Sequence, residues 1–249
     1  MSKRNLSLNH ASHNIRSLID KTILSKLVGD RGFYQTVLRL ALPVTIQSFI
    51  MAALNMVDTI MVGQLGETEI AAVGLSNQIY FILHLYIFAV SGSVSIFISQ
   101  FWGKKDLRNI RRILGLGLIV NFASTFIFFL LAAIIPERLL SLFSGDQRLL
   151  NIGATYLRIV SLSYLLTAIT ATYSAALRSM EEVKLPMRAS AIGISVNTAL
   201  NYLLIFGRLG LPRLGVAGAA IATVIARFVE MGILLSATYG YRYLSLAEV

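Results

Sequence analysis

The 249-residue chain carries too much apolar and too little charged sequence for an ordinary soluble domain: 56% of its residues are hydrophobic and 14% are charged, against roughly 45–50% and 25% in soluble proteins. The absence of cysteine excludes disulfides and thiolate metal sites. The net charge of +10 would favour nucleic-acid binding in a soluble protein. In a membrane protein, the same excess collects in the cytoplasmic loops.

Residues 1–36 form a polar segment that we interpret as a cytoplasmic tail. It has no short apolar core followed by a small-residue cleavage site, so it does not resemble a signal peptide. Apolar residues between Leu18 and Val28 recur at helical spacing, with Lys21 and Lys26 among them. This spacing predicts an amphipathic helix on the membrane surface. A flexible tail is the alternative.

Residues 37–243 contain six apolar stretches, and each is long enough to cross a bilayer, for which a helix needs about 20 residues. We therefore predict an all-α membrane protein in which these residues form one lobe, a bundle of six transmembrane helices. The predicted spans are residues 40–57 with an extension to Leu65, 70–103, 113–136, 159–177, 189–207 and 214–241.

The distribution of basic residues predicts how the six spans are oriented across the membrane. With a cytoplasmic N-terminus, the cytoplasmic segments hold sixteen Lys and Arg residues and the opposite loops hold five. This asymmetry predicts that both chain ends are cytoplasmic, with residues 244–249 as a short cytoplasmic end. We expect a multi-pass protein of a bacterial-type inner (plasma) membrane that contacts lipid. The basic excess is then a topology signal, and nucleic acid is not an expected partner.

Asp58 lies in the outer part of the first predicted span. A carboxylate within a bilayer is costly and usually faces a bundle interior, where it has a function. Asp58 is therefore a candidate proton- or cation-binding group. The alternative is an interfacial side chain that faces water.

Three polar side chains in the fifth and sixth spans are further candidates. Asn197 and Asn201 are four residues apart and share one helix face. Thr223 adds a hydroxyl on a face of small residues in the sixth span. The amide oxygens are suited to a hard cation or to a protonated carboxyl group. Interhelical hydrogen bonding without any ligand is the alternative.

Arg227 and Glu230 stand three residues apart in the sixth span, close enough to pair. We interpret them as an intramembrane ion pair with a structural role, and a second proton-transfer site is the alternative. The sequence lacks a His-Glu-x-x-His motif, a Gly-x-Ser-x-Gly elbow and a phosphate-binding Gly-x-x-x-x-Gly-Lys loop. We therefore predict that the protein is not an enzyme.

An ordered series of motifs resembles the N-terminal part of multidrug and toxic compound extrusion (MATE) transporters. The resemblance covers about residues 30–243. Its motifs are LALP at 40–43, NMVDTIMVGQLG at 55–66, AAVGL at 71–75, QFWGKKD at 100–106, ALRSM at 176–180, KLPM at 184–187, NTALNYLLIFG at 197–207 and GVAGAAIAT at 215–223.

The resemblance implies a secondary active exporter of small organic, often cationic compounds. Such an antiporter is driven by H+ or Na+ and needs no other cofactor. By motif, the family's cation site corresponds to Asp58, Asn197, Asn201 and Thr223, with the backbone of Ala219 as an additional ligand. Some family members have aspartate where this chain has Asn201, so one carboxylate is expected here. This departure leaves sodium coupling and single-proton coupling open.

The resemblance also implies a fold of two six-helix lobes related as a parallel repeat, whereas the chain matches the N-terminal lobe alone. We expect either a fragment or a lobe that pairs with a second six-helix lobe or partner chain. Two other functions compete with drug export. They are a flippase for lipid-linked saccharides, which would need a larger cationic cavity, and a membrane subunit that transports nothing.

Overall fold

The computed structural model describes residues 31–240, so most of the predicted tail and the segment 244–249 lie outside the described residues. Contacts separate the chain into Met1–Leu42 and Pro43–Val249, and the contacts given below are all within the second unit. The elements, in chain order, are α1 (Arg31–Gly63), α2 (Glu67–Gly103), α3 (Leu107–Ile134), α4 (Pro136–Ser141), α5 (Gln147–Val160), α6 (Leu162–Ser179), α7 (Lys184–Phe206) and α8 (Gly215–Gly240).

The helices confirm the prediction of an all-α membrane protein. Within residues 31–240, four helices are long and apolar enough to span a bilayer, namely α2, α3, α7 and α8. Counted as one span, the bent pair α5–α6 brings the number to five. Helix α1 has 33 residues, but its mainly apolar stretch, Val37–Ile50, is shorter than a span. Large apolar side chains are widely exposed, as lipid contact requires; the Phe88 side chain, for example, is 71% exposed.

The pair α5–α6 corresponds to the fourth predicted span, which the sequence places at residues 159–177. In the structure this segment starts at Gln147 and bends by 46° between α5 and α6. Arg158, assigned from the sequence to a loop, is therefore a residue of helix α5. Its guanidinium lies 2.9 Å from the Glu137 carboxylate at the surface. The sequence did not indicate where this helix starts, because residues 147–158 are amphipathic and mix charged with apolar side chains.

Glycines and one aspartate define the helix ends. Gly207 ends α7 in a left-handed conformation (φ 68°), which a side chain would disfavour. Asp106 caps α3 by accepting a hydrogen bond from the Asn109 backbone N–H at 3.1 Å. This bond and a second one from the Asn109 side chain keep the pKa of Asp106 below its ordinary value. The cap is thus complete at neutral pH and weakens as the pH falls through this lowered pKa.

The bundle core consists of two apolar clusters that lie towards opposite ends of the helices. One cluster surrounds Leu83, Leu157 and Tyr164, near the ends that carry the 64–66 and 207–214 turns. The other surrounds Ile98, Leu114 and Leu177, near the 104–106 and 180–183 turns. We call the end of the bundle with the 64–66 and 207–214 turns the Gly207 end, and the opposite end the Lys104 end. The Lys104 end carries the basic loops of the sequence.

Helices α7 and α8 cross closely and run antiparallel. A Cβ atom added to Gly218 would lie 2.7 Å from the carbonyl oxygen of Leu204. Further towards the Lys104 end, a Cβ on Gly193 would lie 3.0 Å from Cβ of Glu230. Small residues permit such approach between membrane helices, where dispersion and hydrogen bonds hold helices together. The two glycines therefore allow polar groups of α7 and α8 to reach each other.

This crossing predicts different effects for two glycine substitutions in α8. Gly218→Ala is expected to lower the free energy of unfolding by about 1–3 kcal/mol, because the new methyl group meets the backbone of Leu204. Gly232→Ala is the matched control, since no atom lies within 4 Å of its added Cβ. Thermal melting of the purified chain in detergent measures both. Equal melting temperatures would contradict the close crossing.

Candidate functional site

A cavity of about 420 Å³ opens between α1, α2, α5, α6, α7 and α8. Every residue that the sequence singled out for a cation site or an ion pair lines it. These residues are Asp58, Asn197, Asn201, Ala219, Thr223, Arg227 and Glu230. The helices supply them from positions far apart in the chain. The cavity is therefore the candidate functional site.

Asp58 is held by amide groups of α7. Asn201 Nδ2 donates a hydrogen bond to Asp58 Oδ1 at 2.7 Å. The same nitrogen lies 3.2 Å from the Asn197 side-chain amide. Asn197 and Asn201 are 7% and 2% exposed, so this cluster is largely shielded. The Asp58 carboxylate is half-buried and points to buried amides.

The amide of Asn197 also contacts Asp58. Its nitrogen faces the carboxylate and donates to Asp58 Oδ2 at 2.7 Å. Its oxygen accepts from the Thr223 backbone N–H at 3.3 Å. Both asparagines of α7 thus donate to the carboxylate of α1.

Thr223 connects this cluster to α8. The Asn197 side-chain amide lies 3.3 Å from Thr223 Oγ1. The Thr223 hydroxyl donates to the Ala219 carbonyl at 3.0 Å. Within helix α8 this carbonyl also accepts the backbone hydrogen bond of the helix, so both of its lone pairs are engaged.

Arg227 and Glu230 form the predicted ion pair. Arg227 Nη1 donates to Glu230 Oε2 at 2.7 Å, and the Glu230 side chain is 8% exposed. Its other oxygen, Oε1, accepts from the Ser190 hydroxyl at 2.7 Å. Both carboxylate oxygens of Glu230 thus have a partner. Ser190 was not predicted, because one serine near a polar turn has no distinguishing pattern in the sequence.

Three tyrosines complete the cavity wall and were also missed. Tyr80, Tyr156 and Tyr164 come from α2, α5 and α6. The rings of Tyr80 and Tyr164 lie 5.6 Å apart and are tilted by 32°. Tyr164 is fully buried, and its hydroxyl has no hydrogen-bond partner within residues 31–240. The only sequence signal was the position of each tyrosine in an apolar helix, which is equally typical of a packed core.

Several membrane-spanning helices around a shielded carboxylate, amides and an ion pair define a class of protein. It is a multi-pass helical membrane protein with a polar intramembrane cavity, the arrangement of a transporter.

The chain belongs to the MatE family, whose model matches residues 43–203. A probable multidrug resistance protein NorM of Thermotoga maritima is 30% identical over 200 residues, which are 79% of this chain and 42% of that protein. The uncharacterized transporter YisQ of Bacillus subtilis is 29% identical and covers 87% of this chain and 47% of its own length.

Solved structures have the same fold. The MATE transporter VcmN of Vibrio cholerae, in its bent form, aligns with a TM-score of 0.77 at 21% identity, over 86% of this chain and 48% of that one. An outward-facing multidrug resistance MATE transporter of the MOP superfamily aligns with a TM-score of 0.76 at 21% identity, over 84% and 46%. The chain thus spans about half the length of the relatives it matches.

The hydrogen bonds of Asn201 predict a selective effect on stability. Asn201→Leu removes the donor to Asp58 and is expected to lower the free energy of unfolding by about 1–3 kcal/mol, because a shielded carboxylate loses a partner. Thr198→Val is the matched control in the same helix. The Thr198 hydroxyl is buried without a hydrogen-bond partner, so its loss should be neutral or stabilising. Thermal melting of both variants tests the site, and equal losses would contradict it.

Proposed function

We propose that the chain is the N-terminal half of a cation-coupled multidrug exporter and that Asp58 binds the coupling ion. The single observation that carries this proposal is the shielded contact of Asp58 with Asn201 and Asn197. Both amides belong to α7, so a change in the charge of Asp58 alters its contact with another helix. Their oxygens are also groups that a cation could contact.

The donor set supports H+ and Na+ as coupling ions. Asn201 Oδ1 is buried without a hydrogen-bond partner within residues 31–240, so it can still accept a hydrogen bond or contact a cation. Together with the Asp58 carboxylate and Asn197 Oδ1, it gives a set of oxygen ligands, which hard cations prefer. Thr223 is the additional ligand from α8, and its hydroxyl is held by the Ala219 carbonyl. Bound Na+ would supply charge neutralisation at Asp58.

Binding at Asp58 couples to helix packing because the ligands come from different helices. Asp58 belongs to α1, the two asparagines belong to α7, and Thr223 and Ala219 belong to α8. A proton or Na+ that joins these groups stabilises the arrangement in which they meet. A ligand shifts a conformational equilibrium by its differential affinity for the two states. Ion binding thus favours one access state of the transporter.

The proposed substrates are small organic, often cationic compounds, and the proposed second lobe is a partner chain or a longer form of the same protein. The aromatic wall of Tyr80 and Tyr164 supports an organic ligand with a flat or cationic group. The cavity is lined by one basic residue, Arg227, which is paired with Glu230. That single neutralised cation favours drug export over transport of lipid-linked saccharides, for which a strongly cationic cavity is expected.

Replacement of the carboxyl group tests the role of Asp58. Asp58→Asn is expected to abolish Na+ binding measured by isothermal titration calorimetry and to remove the infrared band of a protonated carboxyl group that titrates in the wild type. Asp106→Asn is the control, because Asp106 lies in the turn before α3 and does not line the cavity. Ion binding and a titrating band that both survive Asp58→Asn would refute the proposal.

The missing second carboxylate gives another test. Asn201→Asp places a second acid next to Asp58, where two carboxylates share one site and one of them retains a proton. We expect this variant to bind one additional proton, or to bind Na+ more tightly than the wild type. Proton uptake per chain and Na+ titration measure the change. An unchanged proton count together with unchanged Na+ affinity would show that position 201 does not face the ion.

A further inference from the structure

The charged residues that line the cavity are Asp58, Arg227 and Glu230. The titratable tyrosines beside them are Tyr80, Tyr156 and Tyr164, and α7 contributes only uncharged groups to the lining. With both carboxylates ionised, the lining carries one negative charge in excess, which one monovalent cation or proton neutralises. Without that ion, Asp58 would be an uncompensated charge in a low-dielectric site, which is strongly unfavourable.

Arg227 is the more accessible partner of the ion pair. The Arg227 side chain is 26% exposed and the Glu230 side chain 8%. Glu230 also does not depend on Arg227 alone, because Ser190 holds its other oxygen at 2.7 Å. The ion pair uses Nη1 of Arg227, and a guanidinium has further N–H donors. Arg227 can therefore turn towards another acceptor while Glu230 keeps a hydrogen bond.

Helix geometry places Arg227 within reach of Asp58. Arg227 follows Thr223 by four residues, so both project from one face of α8, about 6 Å apart along the axis. Thr223 is bonded to Asn197, which contacts Asp58. Glu230, a further turn away, lies closer to the Lys104 end. The positive member of the pair is thus the one nearer to the Asp58 cluster, at a distance that the long arginine side chain covers.

We propose that Arg227 is a tethered cation that replaces the coupling ion at Asp58. While a proton or Na+ occupies Asp58, the guanidinium stays with Glu230 and Ser190 completes the shell of that carboxylate. When the ion leaves, one arm of the guanidinium moves to Asp58 and neutralises it. The inference rests on the proposed function, since it assigns a competitor to the same ion site. Arg227 is here a specificity-determining residue, beyond its structural pairing.

Competition between Arg227 and the coupling ion lowers the affinity of Asp58 for that ion. Every coupling ion that binds must displace Arg227 from Asp58, so the ion binds more weakly than it would to a free carboxylate. The ion-free state is in turn stabilised, because the guanidinium is then shared by Asp58 and Glu230 and neither carboxylate lacks a cationic neighbour. Release of the ion, which a free carboxylate would hinder, becomes easier.

The test uses the purified chain with Na+ as the probe. Arg227→Gln together with Glu230→Gln removes the pair without leaving a lone charge and keeps hydrogen-bonding groups at both positions. We expect the Na+ dissociation constant of this double variant to fall by roughly fivefold or more, the size of a typical coupling between sites. Arg227→Lys keeps a tethered cation and should retain a value close to that of the wild type.

A second measurement does not require Na+ binding. In Na+-free buffer at alkaline pH, removal of the pair should lower the melting temperature when Asp58 is present. In the Asp58→Asn background, the same removal should have a clearly smaller effect, because there is no charge to compensate. This non-additivity supports the tethered cation whether the coupling ion is Na+ or H+. A purely structural pair would give the same loss in both backgrounds.

The outcomes separate the two proposals. Additive melting shifts with an unchanged Na+ affinity would overturn the role of Arg227. If the wild type still showed an ion response that Asp58→Asn abolishes, the proposed function would stand. If Asp58→Asn changed neither ion binding nor carboxyl titration, the coupling site itself would fail and the tethered cation with it.

Discussion

The close antiparallel crossing of α7 and α8 is the contact on which the polar site is built. At Gly218 an added Cβ would clash with the Leu204 carbonyl, and at Gly193 it would make a tight contact with Glu230. This proximity lets Asn197 reach Thr223 at one level and Ser190 reach Glu230 at the next. Without a hydrophobic force between helices in lipid, these contacts and the close packing hold the pair together. The polar groups are thus part of the helix interface as well as the lining of the cavity.

Asp58 lies outside the α7–α8 interface, but its hydrogen-bond donors belong to α7. Its carboxylate comes from α1 and takes its donors from α7, so the position of α1 near the Gly207 end is tied to a charge. This contact between α1 and α7 can change, because protonation of Asp58 changes which groups donate and which accept hydrogen bonds. Helix α1 is also held by apolar contacts, because Val62 belongs to the buried core. Helices α7 and α8 are held to each other by close steric contact.

Much of this organisation was predictable because lipid imposes strict rules. Apolar stretches gave the spans α2, α3, α7 and α8, and rare polar residues within the predicted spans identified Asp58, Asn197, Asn201 and the Arg227–Glu230 pair. The sequence could not reveal what depends on distant segments. Ser190 becomes a partner of Glu230 only through the Gly193 crossing. Tyr156 was placed outside a span because the amphipathic α5 did not have the expected apolar length, and the bend before α6 had no proline to indicate it. The tail of residues 1–36 and the direction of the helices across the membrane stay predictions.

Under the proposed function, the presence of Asn201 in place of a second acid has an energetic consequence. An exchanger whose ion site holds one carboxylate would exchange one unit of charge per cycle. If one proton or Na+ enters for each monovalent organic cation that leaves, no net charge crosses the membrane. The membrane potential, which contributes about 2.3 kcal/mol per charge per 100 mV, then does no work on the cycle. Such an exchanger would run on the concentration gradient of its ion alone and would continue in a depolarised cell as long as that gradient persists.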